Sequence, residues 1–297
     1  MGTPEQSGLE LQLQDFWDTW APNVCAYMPD DAAVRTLRSK VSPRVFTLTY
    51  LPVRGERPNA TGTAPAAQIV KSSLCAVCEN NLQGGKLEKA WIGANEGEWY
   101  VTVNKFPIVP QHFLLVHEQL CPAQRAQGRL SIYDLEFAGK YAHDTNQLVF
   151  HNPPGAGASI PHLHHQTVRY DSPLFSLKRT PNYLDPRVHV KLDMGIANYW
   201  SRSPEPIHKL CEAFALAGRG YNLVVLPNRT PEFGFIPRKN EWSTLFKSRY
   251  AGFEMNWRIV VPDGALFLKL KHEEVDVDYL QTGYTFPEID GDIAGIL

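Results

Sequence analysis

No run of apolar residues in this 297-residue chain is long enough to cross a bilayer. Excess positive charge is missing too: 29 Lys and Arg stand against 31 Asp and Glu, a net charge of −2. That balance argues against a protein whose main work is gripping nucleic acid. Cysteine is scarce, and five is an odd number in so long a chain, so no disulfide framework is expected. The first residues, Met1 to Gln6, lack the basic and then apolar regions of a signal peptide. There are no heptads and no short-period repeat. A soluble, cytoplasmic, reduced protein is the expectation, with no membrane partner and no nucleic-acid partner. What is present, 43% hydrophobic and 20% charged residues, suits a globular chain of one large or two medium domains.

Taken in order, the chain gives these expectations. Leu9 to Trp20 reads as a helix, with Leu9, Leu13, Phe16 and Trp20 on one stripe. Ala32 to Lys40 reads as a second short helix, ended near Pro43, and Arg44 to Val53 as a strand. Gly55 to Ala67 reads as a loop. Glu98 to Val116 reads as two strands around a turn bracketed by Pro107 and Pro110. Ser131 caps a helix running to about His143, with Leu135, Ala138 and Ala142 facing a sheet. Gln147 to His151 is a short strand, and Asp171 to Pro186 a polar linker. Pro204 to Ala217 reads as a helix with Ile207, Leu210, Cys211 and Phe214 on one stripe. Tyr221 to Leu226 and Glu232 to Lys239 read as a hairpin, and Trp257 to Val261 with Ala265 to Leu270 as another strand pair. Glu273 to Leu297 is acidic and weakly patterned.

The chemistry concentrates between Asn152 and Tyr170. A small-residue loop, Gly155 to Ser159, runs into His162, His164, His165 and Gln166, and then into strand-forming residues. Side chains alternate along a strand, so His162, His164 and Gln166 share one face while Leu163 and His165 take the other. Two imidazoles and an amide behind a loop rich in backbone N–H groups suit nucleophilic catalysis at phosphorus. A polar surface strand would also accommodate them. Elsewhere, Cys75 and Cys78 form a Cys-x-x-Cys pair, which is half of a metal site, a redox pair or two packed cysteines.

The His162-x-His164-x-Gln166 pattern after Gly157-Ala158-Ser159 resembles the nucleotidyltransferase branch of the histidine-triad superfamily. That branch contains galactose-1-phosphate uridylyltransferase and diadenosine tetraphosphate phosphorylase. Asn104 and Lys105, followed by His112 to Val116, resemble a second element of the superfamily, and Tyr221 to Arg238 resembles the second half of the phosphorylases. The resemblance implies an α+β fold: two histidine-triad-like units in tandem on an antiparallel or mixed sheet with packed helices. It divides the chain into an N-terminal extension (1–71), a catalytic unit (72–170) and a degenerate second unit with an acidic tail (171–297). It implies His164 as the nucleotidyl carrier, with Gln166 and Ser159 stabilising phosphoryl oxygens. It implies substrate contacts from Asn104, Lys105, Asn152, Gly157, Ser159 and Arg238. His112 stands 50 positions ahead of His162 (162 − 112), and the branch implies a structural zinc held by Cys75, Cys78, His112 and His162, with His117 and His151 as nearby rivals. No organic cofactor is expected.

The implied activity is nucleotidyl transfer from a nucleoside diphosphate conjugate or a dinucleoside polyphosphate to phosphate or a sugar phosphate. A hydrolase of the same superfamily and a non-catalytic, zinc-stabilised nucleotide-binding protein are the alternatives, with a repurposed fold acting on an unusual metabolite as a third. A homodimer is one expectation for assembly. Residue 165 is a third His where the branch carries small or apolar residues, and residues 1–71 match no pattern of the family.

Overall fold

The computed structural model describes residues 8–25, 32–40, 42, 44–52, 99–117, 129–158, 162–169, 174, 179–181, 185–193, 195–240, 242–246, 248–284 and 286–297. The expected loop at 55–67, the Cys75–Cys78 pair, Ser159 and most of the expected linker at 171–186 lie outside the described residues.

A nine-stranded sheet organises these residues. The first four strands are β3 (Trp99–Val103), β4 (Phe113–His117), β5 (Leu148–His151) and β6 (His164–Val168), with helix α2 (Ile132–Thr145) between β4 and β5. After the short β7 (Arg179–Pro181) come β8 (Val188–Asp193), β9 (Ile196–Ser201), helix α3 (Pro204–Leu216), β10 (Tyr221–Leu226) and β11 (Glu232–Pro237). Both sets therefore run strand, strand, helix, strand, strand. The lateral order across the sheet is β3-β4-β6-β5-β10-β11-β9-β8-β7. Within each set the order is first, second, fourth, third, and the two sets meet where β5 pairs antiparallel with β10. The fold is thus α+β, with one antiparallel strand-strand-helix-strand-strand unit repeated, as the sequence suggested. In the second unit β11, which holds no histidine, stands where β6 stands in the first.

Local chemistry explains the elements that carry the site. Ser131 closes a capping box on α2: its Oγ accepts from the Asp134 N–H, and the Asp134 carboxylate accepts from the Ser131 N–H at 2.6 Å. Leu135, Ala138 and Ala142 are buried beneath that helix, and Ile207, Leu210, Cys211 and Phe214 beneath α3. With helix α1 (Gly8–Val24) and α6 (Phe286–Ala294), these helices cover one face of the sheet. In α1 the buried line is Leu13, Trp17 and Ala21, which shares Leu13 with the expected stripe, while Phe16 and Trp20 are only partly buried beside it, and Trp17 stands edge-on to Phe113 at 5.6 Å.

The other face is covered by a small sheet of β1 (Ala33–Arg38), β2 (Val45–Tyr50) and β14 (Arg258–Val261), together with helices α4 (Gly264–Lys269) and α5 (His272–Leu280). A two-stranded ribbon, β12 (Trp242–Ser243) with β13 (Ser248–Arg249), lies between β11 and this layer in sequence. Two expectations fail here. Residues 33–38 form a strand rather than a helix, because the β2 edge offers them a full antiparallel ladder from Ala33↔Tyr50 to Arg38↔Val45. Residues 264–269 form a helix rather than a strand, because Asp263 caps it by accepting from the Leu266 N–H at 2.9 Å. β2 also pairs in parallel with β14, so the N-terminal and C-terminal segments share one sheet. Arg44 and Asp193 form a buried ion pair between this layer and the large sheet. Asp193 Oδ2 also accepts from Trp257 Nε1 at 2.9 Å and from the Tyr279 hydroxyl at 2.7 Å.

Candidate active site

Strand β6 sits between β4 and β5, and the pairing sets its faces. His164 lies opposite Val116, His165 opposite Leu115, and Gln166 opposite Leu114 and Phe150. Alternation then puts His164 and Gln166 on the face covered by the small sheet, and His165 on the helix-covered face. His165 is fully buried there, stacked on Trp99 at 4.9 Å and edge-on to His151 at 5.1 Å. Neither of its ring nitrogens has a hydrogen-bond partner among the described residues. Burial holds its pKa well below the usual histidine value.

A run of imidazole-to-carbonyl bonds fixes three tautomers, since a carbonyl oxygen can only accept. His151 Nδ1 donates to the His164 carbonyl at 3.0 Å, His164 Nδ1 to the His162 carbonyl at 2.8 Å, and His162 Nε2 to the His117 carbonyl at 2.5 Å. His164 therefore carries its proton on Nδ1, and the unprotonated nitrogen is Nε2. Burial, partly opposed by the bond to His162, pushes the His164 pKa down to about 4, so the ring is neutral at pH 7. Burial likewise lowers His162.

Gln166 is half-buried on the same face as His164, and its Oε1 lies 2.9 Å from His112 Nε2. Asn104 Nδ2 lies 3.0 Å from that same nitrogen, while Asn104 Oδ1 accepts from the Phe106 N–H at 2.9 Å and so turns the chain after β3. Lys105 is half-buried, its ammonium 5.9 Å from the Phe106 ring centroid. The His112 ring lies nearly parallel to that of Phe253, with centroids 6.3 Å apart.

This arrangement corrects the expected metal ligand set. His162 reaches the His117 carbonyl at one end of β4, and His112 precedes Phe113 at the other end. Five residues of strand span about 16 Å at roughly 3.3 Å per residue. One ion bound at about 2.0–2.1 Å from each imidazole cannot bridge them. The histidine beside His162 is His117. Among the described residues no group of three or more His, Cys, Asp or Glu side chains is placed to hold a metal ion.

The loop from Asn152 to Ala158 is held from outside. Gly155 and Gly157 have φ of +82° and +95°, and a Cβ on Gly157 would come within 2.9 Å of the Ala251 Cα. Asn152 Oδ1 accepts from Asn222 Nδ2 at 2.8 Å and from the Gly252 N–H at 2.7 Å. Asn222 Nδ2 donates to the Ala156 carbonyl at 2.9 Å, and Arg249 to the Ala158 carbonyl at 2.9 Å. Arg238, expected at the substrate, is buried. Its guanidinium donates to Asn222 Oδ1 and to the carbonyls of Tyr250, Thr282 and Asn240. In the structure it braces the loop through Asn222.

The model of a family described as a domain of unknown function, DUF4922, matches residues 17–169, more than half of the chain. The chain belongs to the DUF4922 family. No curated protein matches it in sequence. Among solved structures, yeast Ap4A phosphorylase Apa2 in complex with AMP superposes with a TM-score of 0.68 at 17% identity, over 94% of this chain and 97% of that one. The same yeast enzyme in complex with Ap4A superposes with a TM-score of 0.66 at 17% identity, over 94% of this chain and 98% of that one. At this identity the likeness is one of fold.

The DUF4922 segment ends at the close of β6 and so contains Asn104, His112, the glycine loop, His164 and Gln166. The residues that hold the loop, Asn222, Arg238, Arg249 and the 250–252 backbone, come from the second half of the chain. Asn222 and Arg238 fall in the Tyr221–Arg238 stretch already singled out in the sequence, but their bracing role has no local signature. Phe253 gave no signal at all. Chemically, the site offers a neutral imidazole with an unprotonated Nε2, a side-chain amide two residues on, and a constrained glycine loop between β5 and the strand that carries both.

Proposed function

We propose that this DUF4922 protein is a nucleotidyltransferase of the phosphorylase type, acting on a dinucleoside polyphosphate or a nucleoside diphosphate conjugate through a nucleotidyl group carried on His164. The observation that carries this reading is the His164 tautomer. The Nδ1 proton rests on the His162 carbonyl at 2.8 Å, and Nε2 holds the lone pair on the face shared with Gln166. The likeness in fold to a phosphorylase whose structures contain AMP and Ap4A supports the substrate class.

In the first half-reaction the Nε2 lone pair of His164 attacks the α-phosphorus of the donor. An Nε2–P bond forms, the bond from phosphorus to the leaving oxygen breaks, and the leaving group departs with the electron pair. The ring gains positive charge, and the His162 carbonyl bound at Nδ1–H stabilises it. In the second half an oxygen of phosphate or of a sugar phosphate attacks the same phosphorus, and the electron pair returns to Nε2. Gln166 and the glycine loop stabilise the charged equatorial oxygens, in chemistry that is mainly positioning and electrostatics.

Product analysis tests the reaction type. With diadenosine tetraphosphate as donor and phosphate in excess, a phosphorylase yields a nucleoside diphosphate in which one phosphate derives from the acceptor. Nucleoside monophosphate formed at the same rate with and without phosphate would assign the site to a hydrolase.

A further inference from the structure

The His112 ring, which lies away from the metal site that the family resemblance implied, makes a contact that bears on the reaction. We infer that His112 is a positioning residue that turns the Gln166 amide so that its NH2 group faces the transferring phosphoryl group. This role rests on the nucleotidyl-transfer reading above.

The Ile108 backbone N–H lies 3.1 Å from His112 Nδ1, and a backbone N–H can only donate. Nδ1 is therefore the accepting nitrogen, and in the neutral ring the proton sits on Nε2. Among the described residues, Gln166 Oε1 at 2.9 Å and Asn104 Nδ2 at 3.0 Å approach Nε2. The Asn104 amino group is itself a donor, since its Oδ1 already accepts from Phe106 N–H. The acceptor for His112 Nε2–H is then the Gln166 oxygen. An amide whose oxygen is held at one side presents its NH2 group at the other. Gln166 is only half-buried and lies two strand residues from His164 on the same face, so that NH2 group is aimed where the oxygens of an attacked phosphorus would lie. The turn that places Ile108 and the flat contact with Phe253 keep the His112 ring from rotating.

Two substitutions separate the functions of the two ring nitrogens. His112→Asn keeps an acceptor for Ile108 N–H but loses the donor to Gln166. His112→Gln supplies an NH2 donor near the Nε2 position. The test is the single-turnover rate of adduct formation on His164 with diadenosine tetraphosphate, for both variants, Gln166→Ala and the double variant H112N/Q166A. Gln166→Ala should slow the step about 10²-fold. His112→Asn should slow it about tenfold or more, with the donor KM changed less than about twofold, because the loss falls on the transition state. H112N/Q166A should be no slower than Gln166→Ala, since no amide remains to be oriented. His112→Gln should recover most of the rate. An H112N variant as fast as the wild type, or losses that multiply in the double variant, would overturn this role while leaving the His164 adduct intact. A wild type that forms no adduct would overturn the nucleotidyl-transfer reading and this role with it. Nitrogen chemical shifts of the wild type give a check independent of folding in the variants: an Nε2–H tautomer at His112 is expected, and an Nδ1–H tautomer overturns the inference.

Discussion

His164 and His165 are neighbours in the chain and stand on opposite faces of the sheet. His164 donates from Nδ1 to the His162 carbonyl at 2.8 Å, and His165 stacks flat on Trp99 at 4.9 Å beneath the helices. One pairing register separates the imidazole proposed as nucleophile from a core one, and a slip of a single residue would exchange them.

The separation is testable by two substitutions. His165→Leu replaces a buried ring, whose nitrogens lack partners among the described residues, with an apolar side chain, so stability should stay level or rise by up to about 1 kcal/mol, and activity should be retained. His164→Ala should fold and be inactive. Denaturant melts and turnover assays of the two variants decide the matter. An active His164→Ala with a dead His165→Leu would mean that the faces are reversed.

The lowered histidines make stability depend on pH in a definite direction. His162, His164 and His165 have folded pKa values below the usual 6.5, with His164 at about 4. Between the folded and unfolded values the unfolded chain binds more protons, so stability falls as pH drops from about 6.5 toward 4. His164 alone contributes a loss on the order of 3 kcal/mol over that window. Urea melts at pH 7.5, 5.5 and 4.5 should show the decline, and His165→Leu should make it shallower. Stability that is flat across the window would contradict the buried, neutral state of these rings.

Gly157 is fixed both by its backbone and by its neighbour. Gly157→Ala must hold φ near +95° and bring a methyl against the Ala251 main chain. A destabilisation of about 1–3 kcal/mol is expected, together with a larger loss of activity, since the loop flanks His164. Thermal unfolding and turnover, measured on the same preparation, give both numbers.

The metal expectation now divides into parts. His112→Asn should leave the metal content of the purified protein unchanged, because His112 lies at the far end of β4 from His162. Metal analysis of the wild type, His112→Asn and the Cys75→Ser/Cys78→Ser double variant checks this. Zinc lost from His112→Asn but present in the wild type would restore His112 as a ligand.

The site strand was legible because alternation is a backbone property, and Thr167 and Val168 fix the type of strand. Helix α2 was legible because Ser131 and Asp134 bond locally. The segment Ala33–Arg38 was misread because its partner, β2, and not its own composition, decides its state. Residues 264–269 are too short and too apolar for periodicity to separate helix from strand. Strands β8 and β9 were missed; they form a hairpin through Gly195 at φ +88°. The roles of Asn222 and Arg238 depend on the two units meeting at β5 and β10, which no local pattern encodes.

The most direct measurement of the central claim is intact-protein mass spectrometry of the chain quenched within one turnover of diadenosine tetraphosphate, without acceptor. The expected result is a gain of one nucleoside monophosphate per chain, stable in alkali, lost in mild acid, discharged by added phosphate and absent from His164→Ala. Turnover with no adduct at kinetically competent times, and with sequential rather than ping-pong kinetics, would contradict His164 as the nucleotidyl carrier.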